Sequence, residues 1–258
     1  MGQMNRRALT FLLMVPPIFA GAADAPAAPR AEAAQDPSAD FLFGKPRGSL
    51  GARGAWQIAA ASSDIYDFFN EELTIENGDF DSFLFGVDGS FAVASRIDLV
   101  AGFEISRASV SSEYREFVDE NDLPILQDTR LTIVPATLSV KLYLTPRGRE
   151  VSRYAFVPAK VRPYVGGGGG FVWYELEQAG DFVDFVDLTI FTSGFQSSGF
   201  GFATQAFGGV EVGLTPRWFL SVEGRYLWGD ADLDGDFLSF EPIDLSGARI
   251  GAGINFSF

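Results

Sequence analysis

The sequence predicts an all-β fold: an eight-stranded antiparallel up-and-down transmembrane β-barrel. Three observations lead there. Apolar and polar residues alternate with a period of two in segment after segment. The links between those segments are short and long by turns. The charges that fall on the polar rows balance in sign and recur at similar depth along their strands.

The chain of 258 residues opens with an export signal over 1–22. Arg6 and Arg7 precede the apolar run 8–20, and Ala20-Gly21-Ala22 offers a cleavage site. A buried first helix is the competing reading, and Pro16-Pro17 would break it. Residues 23–47 are expected as an Ala/Pro-rich leader, disordered through Asp40, and 48–258 as the barrel.

In the first strand Leu50, Ala52, Trp56 and Ile58 share one face, with Ser49, Arg53 and Gln57 on the other. In the second, Phe83, Phe85, Val87, Phe91 and Val93 oppose Ser82, Asp88 and Ser90. The third sets Leu99, Ala101, Phe103 and Ile105 against Gly102, Glu104 and Ser106. The fourth sets Val134, Ala136, Leu138, Val140, Leu142 and Leu144 against Thr137, Ser139 and Lys141. The fifth, 161–175, is glycine-rich and aromatic, and its faces do not separate. In the sixth, Phe200, Phe202, Ala206, Val210, Val212 and Leu214 oppose Gln205 and Glu211. The seventh pits Leu220, Val222, Tyr226 and Trp228 against Ser221, Glu223 and Arg225, and the eighth Ala248, Ile250, Ala252, Ile254, Phe256 and Phe258 against Arg249 and Asn255. Links after the second and sixth strands are short, the fourth intermediate, and the first, third, fifth and seventh long, acidic and aromatic. "LTPR" closes both the fourth strand (144–147) and the sixth (214–217), as consecutive hairpins would.

A soluble sandwich would also alternate, so the polar row decides the orientation. It carries Arg53, Asp88, Glu104, Lys141, Glu211, Glu223, Arg225 and Arg249, four acids and four bases from seven strands. On a solvated surface they would have no reason to balance. In a narrow lumen they must pair, because isolated buried charge costs several kcal/mol. The apolar row then faces lipid, with Trp56, Tyr143, Tyr164, Trp173, Trp218, Tyr226 and Trp228 expected at the membrane interfaces. A soluble ligand-binding barrel is the alternative fold.

With no Cys and no His, the chain lacks thiol nucleophiles, histidine bases and most transition-metal sites. A net charge of −15 argues against nucleic acid. No catalytic residue, metal site or cofactor is assigned.

The repeated "LTPR" turns, "RPYVGGGGGF" (162–171), "EGRYLW" (223–228) and the last strand resemble the small eight-stranded outer-membrane barrels of Gram-negative bacteria, the OmpA/OmpW/OmpX-like superfamily. The resemblance implies a periplasmic leader, long loops on the outer face, and outer-membrane lipid and lipopolysaccharide as surroundings. It also implies that Ile250, Ile254, Phe256 and Phe258 form an assembly signal read by the barrel-assembly machinery. Three functions follow: a structural or surface-interaction barrel with an unknown surface partner, a narrow channel for small or hydrophobic solutes, and a lipid-acting enzyme. Relatives of the last kind rely on His, which is absent here. Two motifs read otherwise. Gly166–Gly170 runs into another strand, not the helix a phosphate loop needs. Asp230, Asp232, Asp234 and Glu241 match calcium-loop spacing but lack the flanking helices.

Overall fold

The computed structural model describes residues 41–258, so the expected export signal (1–22) and most of the expected leader (23–47) lie outside the described residues. Eight long strands close on themselves: β1 (Gly48–Ala59), β2 (Ser82–Ala92), β3 (Ile97–Val118), β4 (Pro124–Tyr143), β7 (Val161–Val183), β8 (Ile190–Gly213), β9 (Trp218–Ala231) and β11 (Gly247–Ser257). Each pairs antiparallel with its neighbours in the chain, β11 returns to β1, and the ring is complete. A closed ring leaves no edge in the bilayer, which is what lets strands cross it. Smaller pieces hang on the ring. These are α1 (Asp64–Glu72) between β1 and β2, the hairpin of β5 (Gly148–Ser152) and β6 (Ala155–Pro158) between β4 and β7, and β10 (Ile243–Asp244) against β9.

The pleat sorts the faces. Leu50, Trp56, Phe83, Phe85, Leu138, Val140, Phe200, Phe202, Val222, Ile250 and Ile254 all point outward and are exposed. A water-soluble protein rarely shows so continuous an apolar belt. This belt faces hydrocarbon, and the fold is a transmembrane barrel. On β7, whose faces the sequence does not separate, Arg162, Tyr164, Val172, Tyr174 and Leu176 turn inward while Val161, Val165 and Phe171 turn out.

Two expectations need correcting. Tyr143 and Tyr164 are not interface aromatics; both are buried inside the barrel, where they pack on each other and, through Tyr164, on Phe207. The long links after the third and fifth strands are not loops. β3–β4 and β7–β8 run on as hairpins, paired from Ile97↔Leu142 and Val161↔Val212 up to Val118↔Pro124 and Val183↔Ile190. Their outward rows turn polar above the belt (Arg107, Ser109, Ser111 and Glu113 on β3), so the apolar period stops while the ladder continues. Four strands therefore rise as a wall, since β2 leaves β3 at Ser106 and β9 leaves β8 at Phe202.

The interior has two zones. Toward the long hairpins it is apolar: Ile133, Leu131, Val172, Tyr174, Leu176, Leu227, Ile243 and Leu245 form one core with Ile65, Tyr66 and Phe69 of α1. The helix forms where Asp64 and Asp67 suit its first turn and Ile65, Tyr66 and Phe69 line one face. It lies over this core as a lid, and Leu73 bridges to Tyr114 of β3. At the other end Leu42 bridges to Phe156 of β6.

Asp244 ties the lid to β10. Its carboxylate accepts from the backbone N–H of Ser62 (3.2 Å), the Ser62 hydroxyl (2.5 Å) and the N–H of Ser246 (2.9 Å). Burial alone would push that carboxyl up, but the hydrogen bonds from Ser246 and Ser62 hold it below the ordinary carboxylate range. A lowered pKa makes the tie fully present above about pH 4 and lost as pH falls through the lowered value. Asp244→Asn should therefore open the segment 60–81 to protease at neutral pH, while the native protein opens only on acidification. Equal protease resistance of the two at neutral pH would refute this.

Candidate functional site

The lower half of the lumen is ionic and centres on Glu104, whose side chain is 4% exposed. Arg53 donates from Nη1 to Asp88 Oδ1 at 2.7 Å and from Nη2 to Glu104. Arg225 donates from Nη1 to the same Glu104 oxygen at 3.1 Å and from Nη2 to Glu223 Oε1 at 2.7 Å. Arg249 donates to the other Glu104 oxygen. Three guanidinium groups thus converge on one carboxylate, and Asp88 and Glu223 balance the remaining charge. Register makes this reach possible. Gly86 lies opposite both Arg53 and Glu104, and a Cβ there would sit 3.1 Å from Glu104 Cγ and 3.2 Å from Arg53 Nε.

A second group lies toward the short-turn end. Glu211 pairs with Lys141 and with Arg162, whose Nη2 is 2.6 Å from Glu211 Oε2. The Arg162 guanidinium lies over the Phe219 ring at 3.3 Å. Arg147 Nη1 meets Asp98 Oδ1 at 2.6 Å. Tyr164 joins the two groups: its hydroxyl donates to Glu223 at 2.8 Å while Lys141 Nζ lies 3.9 Å from its ring centre. The eight residues read from the polar rows therefore form two clusters, six around Glu104 and two at Glu211.

Asp98, Arg147, Arg162 and Tyr164 belong to the network and were not among those eight. Asp98 carries the inward parity of β3, one residue before the segment whose alternation is clear. Arg162 stands on the strand of unresolved faces, and Arg147 in a turn, where period two gives no signal. Both arginine side chains are drawn in against carboxylates, Arg147 against Asp98 and Arg162 against Glu211.

The charges leave little space. The cavity beside Arg53, Glu104, Glu223, Arg225 and Arg249 measures about 40 Å³, and that beside Asp98, Tyr143, Arg162 and Glu211 about 20 Å³. Such volumes hold a water or a few, not a solute. Ile250, Ile254, Phe256 and Phe258 line the lipid-facing side of β11. The calcium spacing does not gather: Asp230 and Asp232 are exposed, Asp234 spends its carboxylate on the N–H of Gly235 (2.7 Å), and among the described residues no three acids are placed to hold a metal. Gly166–Gly170 stays within β7.

No protein-family model matches the chain, and no curated protein matches it. Among solved structures the chain is similar to the outer membrane protein OprG from Pseudomonas aeruginosa (11% identity, 84% of this chain and 99% of that one, TM-score 0.45). It is similar also to Neisserial surface protein A (13%, 82% and 97%, TM-score 0.42) and to the outer membrane protease OmpT from Escherichia coli (10%, 85% and 96%, TM-score 0.36). The antiparallel eight-strand ring with its outward apolar belt has by itself the architecture of a transmembrane β-barrel.

Convergence on Glu104 makes the carboxylate and its arginines unequal. Glu104→Ala leaves three buried cations short of a partner and should cost about 3–5 kcal/mol. Arg249→Met removes a cation whose Nε and Nη2 make no hydrogen bond and should cost far less. Urea unfolding from lipid vesicles measures both, and equal losses would contradict the hub.

Proposed function

We propose that the protein works as an outer-membrane barrel with a structural or surface-interaction role and is not catalytic. It anchors a wall of acidic hairpins above the bilayer and keeps its interior shut. The observation that carries this is the double closure of the lumen, ionic around Glu104 below and apolar beneath α1 above. Among the described residues the hairpin end offers Arg107, Arg115 and Arg130 as its cations, against acids in every connection. Absence of His and Cys throughout the sequence supports the non-catalytic reading. The expected partners are outer-membrane lipid and lipopolysaccharide around the belt and the barrel-assembly machinery at the outward row of β11. A surface partner is expected at the hairpins.

The second reading is a narrow channel for small or hydrophobic solutes. The polar cavities of the lower lumen favour it, and their volumes count against it. Single-channel recording in planar bilayers separates the two. The closed barrel should give no discrete conductance steps, whereas reproducible steps abolished by a lumen substitution would establish the channel.

A further inference from the structure

The wall of four strands ends in two hairpin tips, 119–123 and 184–189, and they carry apolar side chains that the fold does not use. Val186 is 93% exposed and Leu188 62%, and Val118, Leu123 and Leu126 are exposed as well. Lipid does not account for them. Between tips and belt the outward rows read Arg107, Ser109, Ser111 and Glu113 on β3, Asp128, Arg130 and Thr132 on β4, and Glu175 and Glu177 on β7. From Arg107 to Val118 the strand path is about 36 Å at its usual rise, and the apolar band of such barrels is only about 25 Å tall. The tips stand clear of hydrocarbon.

They also stand together. The Phe185 ring of one tip packs edge-on against Tyr114 and Phe117 of the other hairpin, at 6.4 and 5.9 Å between centroids. Around the exposed residues lie Glu116, Asp119, Glu120, Asp122, Asp184 and Asp187, with no Lys or Arg between Glu116 and Thr129 or between Pro163 and Pro216. Asp119, Asp184 and Asp187 each accept backbone N–H bonds within their own tips, which fixes the shape of the crest.

We infer that this crest is a docking surface for a cationic amphipathic segment of a partner protein. The inference rests on the surface-interaction reading above and names the partner's chemistry. The segment's apolar face covers Val186, Leu188 and Leu123, and its Lys or Arg side chains meet the surrounding carboxylates. A second copy of this chain would bring acid to acid. Lipopolysaccharide would bring phosphate to acid. Both are repelled where a basic partner is drawn in.

The test uses the full barrel in phosphatidylcholine nanodiscs, a fluorescent leucine–lysine amphipathic peptide, and a leucine–glutamate peptide of equal length. Binding to empty nanodiscs is subtracted. The lysine peptide should bind saturably and more weakly as salt rises. It should bind at least about tenfold more weakly to the Val186→Ser/Leu188→Ser double variant, which alters only exposed positions. Equal binding to native protein and variant, equal binding of the glutamate peptide, or no binding at all would each overturn the inference. So would self-association in sedimentation that the double variant abolishes, because it would give the crest to a second copy. Conductance in bilayers bears on the closed-barrel reading alone. A silent barrel that ignores the lysine peptide defeats only this inference, and a conducting one that binds it defeats only closure.

Discussion

Glu104 gathers three arginines inside a barrel too narrow to hydrate them, and the lower half of the molecule is arranged around that meeting. A membrane barrel turns its apolar residues outward, so what remains for its centre is polar. Desolvated charge then has to be neutralised by charge from neighbouring strands. This constraint acts across the ring, since Arg53, Glu104, Arg225 and Arg249 come from four different strands and meet only once the ring has closed. Register, strand order and closure are tied to one electrostatic requirement. A slip of one residue on β3 would send Glu104 into lipid and bring Ile105 inside.

The upper half solves its interior differently. Beyond the belt the outer face is wet, so the usual soluble-protein solution returns: apolar side chains inside, charges outside, a helix laid over the open end. One continuous set of strands thus passes between two solvents and exchanges its two faces on the way. On β3 the outward row goes from Phe103 and Ile105 to Arg107 and Ser109, while the inward row goes from Glu104 to Ala108. A barrel shut at both levels suits display better than transport, and its outermost features are hairpins, not an opening.

Within the bilayer the sequence was plainly legible. The faces of Phe83–Phe91, Leu99–Ile105 and Ala248–Phe258 lie as their alternation indicates, because lipid on one side and a crowded lumen on the other impose a strict period of two. On β7 five consecutive glycines erase that period, and pairing with β4 and β8 sets the faces instead. Above the belt neither side demands a long apolar run, so the upper strands read as acidic loops although their ladders continue to Val118 and Val183. The helix α1 did leave a trace in Ile65, Tyr66 and Phe69, too short to stand out beside strands on either side. Of the ion network, the eight residues on clear strands were recoverable. Arg147 was not, since a turn residue's direction depends on the strand it folds back upon.

The wall of β3, β4, β7 and β8 has a consequence for association between molecules. Once β2 and β9 turn away, the borders of β3 and β8 would be left with unpaired peptide groups, the raw material of sheet-to-sheet sticking. Each border is hemmed. Thr74 and Leu73 pair with Glu113 and Tyr114 on one side, while Asp234 and Asp236 take up Ser197 and Gln196 on the other. The lid and the last connection thereby serve as selvedges, finishing a fabric that would otherwise fray into its neighbours.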